Sequence, residues 1–551
     1  MSTRRLSRGA ARTGPPVRHP DPDSVTPAER RDLVPVGMLA VVIGFIALSI
    51  SALHGYMLLY GDAVAHLGIA RRIVDTDTPG LAMLGGVWLP LPHLLMLPFV
   101  QRMEWWQNGM AGAWPSLICF VISVMGMYRL ARHLVAPRWA IVATVFFGLN
   151  ANLLYLSTTA MTEPLFLALL LWLTVGTIEF LAALKSSQHR IAINRLILLG
   201  LLIFAAVMTR YDGWILGAVI WLVVTFALVK RPVRGLLPAY VTFTLLTLAG
   251  PLAWFEYNHV FAHDWLDFMR GPYSAKEIDR KTSPPGSHHY FGWHNPAWSL
   301  MLYARTAQVD AAAWETGWLL AAATLWGTWK FLKQQGSRAA LLLWVPLPFY
   351  VYSISYGSVP IFIPQLYPHA FYNSRYGMEL LPALAIFGAF SLAVFAAYLK
   401  RVKPLAVGLI FPIAMMLIVL NTVWMLHATP LVLDEAIHNS RGRLALEEPL
   451  ARQLETFERG APILMENSDH VGALQTAGIP LRQTIGPGNY YRFRAALAAP
   501  AETAAYVIVT GDDAIGQAVK EHPQGLTELT ILCSTGQSCV RVYSSSLHVR
   551  K

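Results

Sequence analysis

Carboxylates, histidines and arginines stranded beside apolar runs are the groups with which this sequence could do chemistry. Asp62 and His66 stand four apart in Gly61-Asp62-Ala63-Val64-Ala65-His66, so on a helix they share a face. Such a pair suits general-base catalysis, with Asp62 taking a proton and His66 orienting it or helping to bind a metal or an acceptor. The alternative is structural: Asp62 caps the helix and His66 is a wet surface residue. Glu163, in Thr162-Glu163-Pro164, is either ordinary helix-start chemistry or a second carboxylate for a metal or acceptor. Arg210-Tyr211-Asp212 joins two short apolar runs. Arg210 either pairs locally with Asp212 or binds phosphate, because a guanidinium matches phosphate oxygens bidentately, and Asp212 is a further acceptor or metal-binding candidate. The same logic makes Arg375 and Tyr376, in Asn373-Ser374-Arg375-Tyr376-Gly377, a candidate phosphate site.

Other patterns carry less. Asp75-Thr76-Asp77 has the form of a metal-holding Asp-x-Asp, but it precedes Thr78-Pro79-Gly80 and reads as a solvated loop. His259, His263, His288, His289 and His294 share a long segment with Trp, Tyr and Pro, which reads as an amphipathic loop over the outer face. Only three cysteines are present, too few for a zinc ribbon or a disulfide scaffold. Cys533 and Cys539 flank a five-residue turn, where a disulfide and a pair of free thiols are both open.

The elements that must position these groups follow from composition. Of 551 residues, 55% are hydrophobic and 14% charged, and mean hydropathy is +0.44. Soluble proteins carry about 25% charged residues, so a polytopic membrane protein remains. Eleven apolar runs are expected to span, at 34–53, 111–128, 139–156, 165–184, 196–209, 213–229, 236–255, 314–329, 339–356, 380–399 and 405–426. The run 87–100, with three prolines, is too short and broken, and is placed as a juxtamembrane or re-entrant helix.

Charge assigns the sides. Alternate loops hold Arg129, Arg132 and Arg138; Lys185, Arg190 and Arg195; Lys230, Arg231 and Arg234; Lys330, Lys333 and Arg338; Lys400, Arg401 and Lys403, with no Asp or Glu among them. Those loops are cytoplasmic by the positive-inside rule, and the opposite, acid-bearing loops face outward. The net charge of +11 is thereby accounted for by the lipid bilayer, and no nucleic-acid partner is implied. The expected organisation is a disordered basic cytoplasmic tail (1–33), a transmembrane domain (34–426) with outer loops at 54–110 and 256–313, and an extracytoplasmic α/β domain (427–551). The N-terminus is then inside and the chain an integral, multi-pass protein of the cell's inner membrane.

A long first outer loop opening on Gly61-Asp62, the acid of Thr162-Glu163-Pro164, and Arg375-Tyr376 ahead of Leu381-Pro382-Ala383 together resemble the GT-C glycosyltransferases. More closely, the arrangement is similar to the protein O-mannosyltransferase and lipid A aminoarabinose transferase group, over 34–426. The resemblance implies a polyprenyl-phosphate-sugar donor, a glycan, lipid or protein acceptor on the outer side, and Asp62 as catalytic base. Family members often carry an Asp-Glu or Asp-x-Asp pair where this chain has Asp62-Ala63, so no cofactor is assigned and a divalent metal stays open. Phosphate would leave by direct displacement, inverting the anomeric centre, with Arg210 and Arg375 stabilising its charge. Two rival classes are a transporter, which should show internal repeats that this sequence does not display, and a non-catalytic envelope-assembly protein relying on the C-terminal domain.

Overall fold

A computed structural model describes residues 27–283, 289–334 and 338–548, so residues 1–26 of the expected tail and His288 lie outside the described residues. Long apolar runs become long helices because, in lipid, each backbone polar group must be satisfied within its own segment. In chain order the principal helices are α1 (Pro27–Leu53), α2 (Gly61–Arg72), α3 (Leu91–Val100), α4 (Met110–Leu134), α5 (Pro137–Gly148), α6 (Ala151–Leu156), α7 (Glu163–Lys185) and α8 (His189–Val207). They continue with α9 (Asp212–Lys230), α10 (Leu237–Ala262), α11 (Pro296–Ala311), α12 (Trp314–Leu332), α13 (Pro346–Tyr356), α14 (Leu381–Val402), α15 (Val407–His427) and α16 (Leu431–Glu455).

Among the described residues, nine helical segments are long and apolar enough to cross a membrane. All eleven expected runs are helical, and the two outside the nine differ for physical reasons. α12 has 19 residues, but its four Trp, three Thr and two Gly, with Glu315 and Lys330, leave it less apolar than the nine. The run 139–156 is broken into α5 and α6, because Asn150 starts a new helix by accepting from the Leu153 N–H at 3.0 Å. α3 has ten residues, about 15 Å of helix, half a bilayer core.

α7 lies at the centre, buried along most of its length, whereas α15 exposes Leu409, Met416, Leu420 and Val423. A helix that is apolar all round and still exposed is one whose solvent is lipid. Inside the bundle, Glu179 of α7 takes Arg129 of α4 and Arg195 of α8, each at 2.8 Å.

The C-terminal region is a five-stranded sheet of order β2-β1-β3-β5-β4, built from β1 (Ile463–Leu464), β2 (Thr484–Ile485), β3 (Tyr506–Thr510), β4 (Leu526–Leu532) and β5 (Val540–Ser545). β1 pairs in parallel with β2 and β3, while β5 runs antiparallel to β3 and β4. Cys533 and Cys539 are disulfide-bonded across the β4–β5 turn. The two-residue β2 had no apolar run long enough to announce it.

This domain sits on the 54–110 loop. Gly68 of α2 leaves room for Val471, whose Cγ2 would lie 2.9 Å from any added Cβ. Gln475 donates to the Trp106 carbonyl, and Gln107 to the Thr476 carbonyl at 3.1 Å. Asp75 and Asp77 belong to the same seam, contrary to the solvated loop expected. Asp75 is buried, bridged to Arg71 at 2.7 Å and accepting from the Leu481 N–H, and Asp77 pairs with Arg492.

Candidate functional site

Helix ends converge where α2, α7, α9, α13 and α16 meet the turn Ser374–Leu380. Each end brings a charged or phenolic group for a local reason. Asp62 stands in the first turn of α2, where the helix dipole favours a carboxylate. Glu163 opens α7 with Pro164 behind it, and Asp212 opens α9. The Ser374–Leu380 turn is 3-10 rather than α, and Gly377 lets it press against α11, since a Cβ there would meet the Ala307 nitrogen at 2.7 Å.

Arg210 is the hub. Its Nε donates to Asp212 at 3.1 Å, its Nη1 to Thr162 at 2.7 Å and Glu163 at 3.2 Å, and its Nη2 to Tyr350 at 2.6 Å, with Glu379 at 2.9 Å. A guanidinium has five N–H groups, and these contacts account for all of them. Arg210 thus makes the local pairing with Asp212 and also holds Thr162, Glu163, Tyr350 and Glu379.

Arg375 is less committed. Its Nε donates to Glu163 at 3.2 Å, its Nη2 donates to Asp62 at 2.5 Å, and Nη1 lies 3.7 Å from Glu435, leaving donors to spare. Its side chain is 6% exposed, whereas that of its partner Asp62 is 42% exposed. Tyr376 is wedged between the like charges, its ring centroid 5.2 Å from the Arg210 guanidinium and 4.8 Å from that of Arg375.

His66, one turn beyond Asp62, faces inward. Its Nδ1 is 2.8 Å from His93 Nε2, and its ring lies against Trp88 with centroids 4.3 Å apart. Burial, reinforced by the charges of Arg375 and Arg210, pushes its pKa down to about 3, so the ring is neutral. The wet surface histidine considered from sequence is thus buried.

The structure brings Asp62, His66, Glu163, Arg210, Asp212, Arg375 and Tyr376 into one cluster. Sequence reasoning missed four of its members: Tyr350, Glu379, Glu435 and His93. Glu379 had a signal, being a carboxyl at the edge of an apolar run. Cys533 and Cys539 lie in the C-terminal sheet, outside this cluster. Among the described residues, no group of three or more His, Cys, Asp or Glu side chains has the geometry to hold a metal ion.

No family model matches the chain. It is 25% identical over 379 residues to an undecaprenyl phosphate-alpha-4-amino-4-deoxy-L-arabinose arabinosyl transferase of Edwardsiella ictaluri, covering 65% of this chain and 63% of that protein. A second transferase of the same description, from Proteus mirabilis, is 23% identical over 358 residues, 62% of this chain and 60% of its own. The chain thus matches less than two thirds of these relatives' length. Among solved structures, ArnT from Cupriavidus metallidurans bound to undecaprenyl phosphate superposes with a TM-score of 0.52 at 15% identity, over 94% of this chain and 99% of that one. The apo form gives 0.53. The chain has the fold of these membrane transferases, the GT-C-type helical architecture with a small C-terminal domain that the sequence implied.

Proposed function

We propose that this chain is a membrane glycosyltransferase that moves a sugar from a polyprenyl-phosphate carrier to an acceptor hydroxyl or amine at the outer face of the membrane. One observation carries the reading: the half-exposed Asp62 is held against the buried Arg375, placing a base beside an anion-binding guanidinium at the mouth of a charged cluster. The relatives' names supply the donor class, an undecaprenyl-phosphate-linked sugar.

The carrier's tail dissolves in the bilayer, which leaves its phosphate at the boundary, where Arg375 has N–H donors to offer. Phosphate binding draws that guanidinium from Asp62 and frees the carboxylate to accept a proton. Asp62 then takes the acceptor's proton as the acceptor atom bonds to the anomeric carbon. The bond from that carbon to the phosphate oxygen breaks, and the phosphate leaves with the electron pair. Arg375 stabilises the charge that develops on it, and the anomeric centre inverts. Arg210, with its donors spent, contributes charge and fixes Glu163 and Asp212, while Tyr376 keeps the two guanidiniums apart. His66, neutral, is suited to hydrogen-bond an acceptor without repelling a proton. The fifteen basic residues of the alternate loops support an outer-face site, and the Cys533–Cys539 disulfide fits an oxidising compartment.

Lipid-linked sugar profiling of a deletion strain tests the proposal. One polyprenyl-phosphate sugar should accumulate while an envelope glycan, lipid or protein loses that sugar. An unchanged pool of every polyprenyl-phosphate sugar would overturn it.

A further inference from the structure

We infer that Glu435, on the first helix of the C-terminal region, is a positioning residue for Arg375. Glu435 is buried, and Oε1 accepts from the Asn373 N–H at 2.9 Å. Oε2 accepts from the Ser374 N–H at 2.7 Å and from the Ser374 hydroxyl at 2.5 Å. The carboxylate thus closes three donors of the two residues that lead into Arg375, and it lies 3.7 Å from that residue's Nη1.

The turn needs holding. Asn373 has φ of 55°, the left-handed region, where a residue with a Cβ is disfavoured and Asn is better tolerated than most. Its two successive N–H groups point the same way, a concavity that binds an anion. Here the anion comes from the protein itself. The helix that carries it is anchored at its own start, where Asn152 accepts from the Val432 N–H at 2.9 Å and Tyr60 donates to the Val432 carbonyl at 3.0 Å. The C-terminal region therefore sets the position of the guanidinium from behind, while Glu163 and Asp62 set it from the front.

This inference rests on the reading of Arg375 as the phosphate ligand, so its test separates the two. Undecaprenyl phosphate binding is measured on the full-length protein in lipid nanodiscs, together with hydrogen exchange at Asn373 and Ser374. Glu435→Gln swaps one acceptor oxygen for a donating NH2 that faces N–H groups. It should weaken binding at least tenfold and speed exchange at both amides at least tenfold. Glu435→Asp, which keeps both oxygens, should lose about threefold, and Ser374→Ala, missing one donor only, should fall between Glu435→Asp and the parent. In an Arg375→Ala background, Glu435→Gln should add less than twofold, because it acts through the guanidinium. Glu447→Gln is the control: it is a buried acid of the same helix, paired with Arg443, and should leave binding as in the parent. Parental binding by Glu435→Gln, or its full tenfold loss repeated in the Arg375→Ala background, overturns the inference. If Arg375→Ala itself binds as the parent does, the phosphate-site reading fails, and exchange alone then decides: unchanged protection at Asn373 and Ser374 in Glu435→Gln overturns the positioning role.

Discussion

Replacing Asp62 with Asn should separate chemistry from fold more cleanly than any other change in the cluster. The side chain is 42% exposed, and its ion pair with Arg375 is the sort of half-solvated contact worth about 0–1 kcal/mol. Asn keeps a carbonyl oxygen that can still accept from Arg375, while Glu163 and Glu435 continue to neutralise that guanidinium. Stability should therefore fall by less than about 1 kcal/mol. Turnover should fall far more, because an amide cannot take the acceptor's proton, and loss of a general base lowers a rate roughly 10²–10⁴-fold, about 2.7–5.5 kcal/mol of activation free energy. The assay complements a deletion strain with each variant and measures the lipid-linked donor by mass spectrometry, with variant abundance read in isolated membranes. The expected result is donor accumulation like that of the deletion strain at parental abundance. The buried acids cannot take over, since Glu163 is 1% exposed and Asp212 2%, both ion-paired to Arg210. A strain whose Asp62→Asn protein turns donor over within a few-fold of the parent would therefore refute the base assignment outright.

Three further outcomes follow from the same geometry. Glu163→Ala removes a carboxylate shared by Arg210 and Arg375 in a buried setting, and should cost about 3–5 kcal/mol of stability, seen as loss of membrane-inserted protein or a lowered melting point; a parental melting point would contradict the shared ion pair. With Cys119 replaced by Ala, Lys400→Cys should resist an impermeant maleimide added to intact cells and Gln524→Cys should react, and the reverse pattern would invert the topology. His66 is held neutral with a pKa near 3 against about 6.5 in the unfolded chain, so between these values the unfolded state binds more protons. Stability should then be full above pH 6.5 and fall as pH drops toward 3, and the decline measured by thermal unfolding should be shallower in His66→Asn; identical slopes would show that His66 is solvated.

The spans and the helix-start acids were legible because each depends on residues near one another in sequence. Hydropathy is summed over a single segment, and helix-start acids such as Glu163 and Asp212 sit where a local dipole wants them. What escaped was pairing across the bundle. Glu435 reaches Ser374 over 61 residues, His66 reaches His93 over 27, and Asp75 meets the Leu481 N–H over 406, and none of these separations has a period that an alternation or a 3.6-residue repeat could reveal. The break of 139–156 was the exception, since Asn150 inside an apolar run is a helix-start signal that length alone overrode.

A usable rule nonetheless lies in the charges themselves. An ionisable side chain beside or within an apolar run, with no opposite charge three or four residues away, must find its partner on another helix or lose its charge. Glu179 follows the first course with Arg129 and Arg195. Asp310, at the end of α11, is pushed towards the second. It is fully buried with both carboxyl oxygens lacking a hydrogen-bond partner among the described residues, and burial, with Glu435 adding to it, pushes its pKa well above the ordinary carboxylate range. An uncharged carboxyl can pack behind Gly377 where an anion could not, because it carries no Born penalty to be offset. The Arg375 turn is thus backed by two buried acids whose pKa burial raises: Glu435, on which Arg375 and three N–H and O–H donors pull back, and Asp310, whose carboxyl oxygens have no such donors among the described residues; the difference lies in donors supplied from about 60 residues away, which sequence spacing does not record.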